Sequence, residues 1–99
     1  MRALVEKATR RSGVLWLLPP GGGEHLVWHV WSEGCAYLVH GGAEQPLPGV
    51  GDGDRVVVVV RSRERPAGRV VEWPADAGRV EPGTPEWERV VPLLAAQRL

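Results

Sequence analysis

Three histidines, one cysteine and three early or mid-chain serines are the side chains of this sequence best suited to chemistry, and their spacing decides what they can do together. His25 and His29 fall on one face of the stretch HLVWHVW, which reads as a strand. At about 3.3 Å per residue they stand ~13 Å apart, too far to share one metal ion. His40 is placed to approach His29 across a hairpin, but no third ligand accompanies the pair. No metal is expected, and the ordinary reading is that the imidazoles are hydrogen-bonded polar groups. A small-ligand enzyme using His29 or His40 as acid or base is a further reading. Cys35 follows a glycine at a turn and has no activating neighbour in sequence. Ser12, Ser32 and Ser62 lack the strand–turn–helix setting of a nucleophile elbow and read as turn or strand-end residues. The glycines at 21–23 are followed by Glu24 rather than Gly-Lys-Ser/Thr, so they form no phosphate loop of that kind.

Two groups of cations remain: Arg2, Lys7, Arg10 and Arg11 near the start, and Arg61, Arg63, Arg65 and Arg69. Their ordinary role is a solvated helix face and a solvated turn; their functional role would be to grip a phosphate with guanidinium forks. Twelve basic and twelve acidic residues cancel to a formal charge of zero. A single phosphorylated small molecule therefore suits the chain better than a polyanion, and nucleic acid is not an expected partner. Five tryptophans, Trp16, Trp28, Trp31, Trp73 and Trp87, are many for 99 residues. Each indole has a large apolar surface to cover, so some are expected in a subunit interface or against a planar ligand.

The elements that must position these groups follow from composition. Sixteen valines, no Ile, Phe or Asn, and 13 Gly with 9 Pro describe short strands cut by turns. One cysteine excludes a disulfide framework within the chain. No apolar run approaches membrane-spanning length, and the first residues lack the apolar block of a secretory signal, so a cytoplasmic domain with no membrane partner is expected. The length suits one domain, residues 1–99.

Residues 2–11 predict a short helix with Leu4, Val5 and Ala8 as its stripe. Residues 13–18 (GVLWLL) predict a buried strand, and PPGGGE a loop. Residues 25–31 read as one strand with Leu26, Trp28 and Val30 on one face and His25, Val27, His29 and Trp31 on the other, both faces covered. Ser32-Glu33-Gly34 turns the chain into a returning strand, 35–40. The Gly- and Pro-rich stretch 41–54 is long enough to have a job or to cover something. Residues 55–62 (RVVVVVRS) predict a central strand covered on both sides. In 69–80 a second long strand places Val71, Trp73, Ala75 and Ala77 on one face, with Pro74 marking an edge or bulge. Thr84 caps a final helix with Pro85 at its first position and Trp87, Val90, Val91 and Leu94 as its stripe. Pro92 is expected to kink or restart that helix. The sum is mainly β: a small antiparallel barrel with helical additions.

The order of these segments, together with LVWHVW, AYLVHG and the RS that closes the valine strand, resembles the pyridoxamine 5'-phosphate oxidase-like family of flavin-binding split β-barrels, over about residues 12–99. The resemblance implies a six-stranded antiparallel split barrel with a short N-terminal helix and a C-terminal helix. It also implies a homodimer with FMN, or a related deazaflavin, in the cleft between subunits, and oxidoreductase ancestry. It would put Trp28, His29, Val30 and Trp31 near the flavin ring. The place of the family's phosphate contacts holds His40, Gly41 and Gly42, then Glu44 and Gln45, with Arg61 and Ser62 positioned to compensate. The alternative is a cofactor-free dimeric binding or structural module that kept the barrel and lost the phosphate site.

Overall fold

In a computed structural model the described residues are 13–41, 44–61 and 70–97. The helix expected over 2–11, with its cations, lies outside them, as do Ser62, Arg63, Arg65 and Arg69. Six strands are present: β1 (Val14–Leu18), β2 (His25–Trp28), β3 (Val30–Ser32), β4 (Cys35–Tyr37), β5 (Arg55–Arg61) and β6 (Val70–Asp76). One helix, α1 (Pro85–Gln97), follows. All strand pairings are antiparallel, but the barrel expectation is corrected: the strands form a four-stranded sheet, β2-β1-β5-β6, and a separate two-stranded sheet, β3-β4.

The break between the sheets falls at His29. Residues 25–31 do not form one strand: β2 pairs with β1, the chain leaves the ladder at His29, and β3 pairs with β4. The alternation read from sequence survives the break only in part, and the expectation that both faces are covered is corrected, because Leu26 is 52% exposed. Val27 belongs to the core under the large sheet, whereas Trp28 and Val30 pack together on α1. The returning strand is shorter than expected and ends at Tyr37. Its turn has two residues, Glu33 and Gly34, with φ of 48° and 81°. Both positions of a type I′ hairpin turn require positive φ, which glycine adopts without strain and glutamate does not.

The main core lies on one face of the large sheet. Leu15, Leu17, Val27, Val56, Val58, Val60 and Val71 are buried there, with Trp73, Ala75 and Ala77 packed at the margin. The stretch after Gly41 does cover something, because Leu47 is buried in this core and Val50 packs beside it. Gly53 and Ala77 exchange backbone bonds with that stretch and the end of β6, at 2.8 Å for Gly53 N–H to Ala77 O and 2.8 Å for Ala77 N–H to Asp54 O. β5 is the central strand, but the expectation that both its faces are covered is corrected: Val56, Val58 and Val60 are buried while Val57 and Val59 are only half-buried.

α1 begins as its sequence dictates. Thr84 Oγ1 accepts the Trp87 N–H at 3.2 Å and donates to the Glu81 carbonyl at 2.7 Å. Val90 and Leu94 are its buried residues, and together with Tyr37 they form a second, smaller core. Trp87 is half-buried and Val91 is exposed, so the docking stripe is narrower than expected. Pro92 neither ends nor restarts the helix. Its missing N–H leaves the Glu88 carbonyl without an intrahelical partner on an exposed stretch, where water can serve instead. No helix among the described residues is long and apolar enough to cross a membrane.

Candidate functional site

The junction where the two sheets meet gathers most of the residues singled out by sequence. Trp28 ends β2, His29 follows, Val30 and Trp31 lie in β3, and His40 and Gln45 form an isolated parallel bridge. The link between these pieces is the Gln45 carboxamide. Its Oε1 accepts the Trp28 N–H at 2.9 Å, while its Nε2 donates to the Trp28 carbonyl at 3.0 Å and to the Val39 carbonyl at 3.0 Å. A primary amide offers an acceptor and two donors in one plane, so it can pair with a residue's backbone as a neighbouring strand would. The loop that carries it is closed by Gly41 N–H to Gln45 O at 3.0 Å and Glu44 N–H to Gly41 O at 2.8 Å.

The four residues expected along one side of a ring diverge. His29 is 2% exposed, and its N–H donates to the Gly13 carbonyl at 3.2 Å. Trp28 and Val30 face the small core on α1. Trp31 is paired across the hairpin with Ala36, whose side chain packs toward the main core. His40 is exposed. Arg61 closes β5 opposite Val70, on the far side of β1 from Trp28.

Among the described residues, the end of this junction offers a phosphate no converging donors or cations. Between His40 and Asp54 the sequence has no Lys or Arg and does contain Glu44, an anion. The Gly41 and Glu44 N–H groups are bonded within the loop, and the Gln45 amide is committed to backbone. Phosphate recognition needs converging donors or cations, and the described residues here direct theirs inward.

A second polar group was not legible as such in the sequence. Tyr37 Oη donates to Glu86 Oε2 at 2.6 Å and accepts from Arg89 Nη2 at 2.9 Å; Arg89 Nη1 reaches Glu33 Oε2 at 3.2 Å. Burial, then the Glu86 hydrogen bond, push the Tyr37 phenol up to about 12. This chain of contacts joins the hairpin tip to the first turns of α1. The only sequence signal for it was a lone tyrosine on a short strand, with Glu86 readable merely as a favourable charge at a helix start.

The face of the large sheet turned away from the core is apolar over β2, β1 and the middle of β5, with Glu72 and the exposed Arg55–Asp76 ion pair on its β6 side. Cross-strand registers align Leu26, Trp16, Val59 and Glu72 in one row, and Leu18, Val57 and Pro74 in the next. Val14 is 43% and Leu26 52% exposed on this face. All five tryptophans are partly buried; none is sealed inside. Comparisons with family models, with curated proteins and with solved structures each find no match for this chain.

Proposed function

We propose that this chain is a binding module that works as a homodimer and takes a planar ring ligand, a flavin first among them, at the seam between two copies. The observation that carries the reading is the half-covered state of Trp16 on the outward sheet face, beside the exposed Val14 and Leu26. A second copy would remove Val14, Leu26 and the rim of Trp16 from water, and an indole left at the edge of such a seam is a stacking surface for a ring. The resemblance in segment order supports a flavin in that place. The junction at Gln45 argues that the described residues between 40 and 54 supply no phosphate grip, so in this reading recognition rests on the ring.

The test is a visible absorbance spectrum of the purified protein with mass spectrometry of whatever heat releases, followed by titration of FMN, riboflavin and a deazaflavin while tryptophan emission is recorded. Ring recognition predicts quenching and a gain in melting temperature with riboflavin as large as with FMN. A colourless protein that responds to none of the three overturns it. The second reading, a cofactor-free dimeric module, is favoured by one specific observation: the Gln45 carboxamide, at the place of the expected phosphate contacts, is bonded to the protein's own backbone.

A further inference from the structure

α1 carries apolar side chains beyond the stripe that docks it. Val90 and Leu94 face the small core, while Leu93 is 42% and Val91 38% exposed. Residues two apart on a helix point to different sides, so Leu93 and Val91 flank the buried stripe on opposite sides. Arg89, Leu93 and Gln97 follow one another at single-turn spacing and share a side. Gly13, the first described residue, stands at the end of that row. A Cβ built on it would lie 3.7 Å from Gln97 Nε2, and its carbonyl accepts the His29 N–H at 3.2 Å. The chain therefore enters the fold beside the last turn of α1, on the side that carries Leu93.

We propose that residues 2–11 (RALVEKATRR), which lie outside the described residues, pack as a helix along this side of α1, with Ala8 level with Leu93 and with Leu4 and Val5 level with the stem of Arg89. The occupant follows from where the segment is tied, how long it is and what charge it carries. Only Ser12 separates it from Gly13, so it is delivered to Gln97 at high effective concentration. At 1.5 Å per residue a helix over 2–11 is about 15 Å long and α1 about 20 Å, so the segment reaches back past Leu93 without overrunning the helix. The last turn of α1 contains no basic residue, and Arg98 is the sole cation beyond it in sequence. Arg10 and Arg11, immediately before Ser12, would bring positive charge to those last carbonyls, where a helix dipole favours it. This inference rests on α1 and Gly13, and depends neither on a ring ligand nor on a second copy over the outer sheet face.

Amide hydrogen exchange on the full, unmodified chain gives the first test. Packing predicts that the amides of residues 6–11 exchange at least about tenfold more slowly than in an unstructured chain, and equally so at every concentration. Unstructured rates would overturn the proposal. Protection that fades on dilution would also overturn it, by giving this side of α1 to a second copy. The second test compares Leu93→Asp with Val91→Asp, which introduce the same side chain at two exposed positions of one helix. Leu93→Asp is expected to abolish the protection of residues 6–11, and Val91→Asp to leave it unchanged. Equal effects of the two variants, or none from either, would overturn the proposal, because a segment placed elsewhere does not distinguish the two sides of α1. Should Leu93→Asp unfold, nuclear Overhauser contacts between the methyl groups of Leu93 and Ala8 in the unmodified chain decide, and their absence overturns the proposal.

Discussion

The phenolic oxygen of Tyr37 and the carboxylate of Glu86 meet at 2.6 Å across a sequence separation of 49 residues. Tyr37 ends the second strand of the small hairpin, and Glu86 lies in the first turn of α1. Arg89 donates to the same phenolic oxygen, so the hydroxyl gives one hydrogen bond and takes another. The apolar contacts of Tyr37 with Val90 and Leu94 lie beside this polar bond. Hairpin and helix are therefore held by one small core and one polar tie that share a residue.

Ionising Tyr37 removes the proton that makes the tie, which gives the fold a defined alkaline response. The phenol is raised from 10.0 to about 12 by burial and by the bond to Glu86. Between those values the unfolded chain has lost a proton that the folded chain retains. The contribution is thus complete below pH 10 and is lost as pH rises toward 12, amounting to about 2 to 3 kcal/mol. Tyr37 is the sole tyrosine, so tyrosinate absorbance reports it directly. A native titration midpoint near the ordinary phenol value would contradict the tie, and Tyr37→Phe should abolish the alkaline slope.

Gln45→Glu tests the junction between the sheets. The change sets a carboxylate oxygen against the Trp28 and Val39 carbonyls, where Nε2 had donated to both. At neutral pH it should destabilise by about 2 to 4 kcal/mol, the cost of two lost bonds and an unpaired charge in a partly buried place. A protonated carboxyl can again donate once, so the folded state raises the pKa of the introduced group. The deficit should shrink as pH falls through that raised value, read by urea denaturation at several pH values. A deficit independent of pH would mean that the carboxamide's donors are not what holds the junction.

Much of this architecture was legible because local chemistry and long-range packing agree. Thr84 before Pro85, the five valines of 56–60, Pro74 on an edge and the parity of Val71, Trp73 and Ala75 each state in sequence what the fold then does. The split at His29 was not legible. HLVWHVW alternates without interruption, and nothing local marks the residue at which pairing passes from β1 to β4, since that choice is made by partners distant in sequence. Gln45 was readable as polar and loop-borne, but its role depends on geometry that brings it to Trp28 from 17 residues away. The resemblance directed it to a phosphate; the described contacts direct it to backbone.

Val60→Ala measures the main core. Val60 has no exposed surface and sits in the central strand among Val58, Val71 and their neighbours. Loss of two methyl groups with incomplete collapse should cost about 2 kcal/mol in urea unfolding. A cost near zero would mean that the buried face of this sheet is loosely packed.

Thr84→Ala tests the start of α1. It removes the acceptor for the Trp87 N–H and the donor to the Glu81 carbonyl, and should cost about 1 kcal/mol. Thr84→Ser retains the hydroxyl and should recover most of that stability; a serine variant as weak as the alanine variant would contradict the cap.

The central claim is that an outward sheet face carrying the half-covered Trp16 is finished by a second copy, and sedimentation equilibrium across a wide concentration range tests it most directly. The account predicts a species of twice 10.8 kDa whose tryptophan emission becomes less accessible to a neutral quencher as it forms. A chain that stays at 10.8 kDa throughout, with its indoles equally accessible at every concentration, would contradict it.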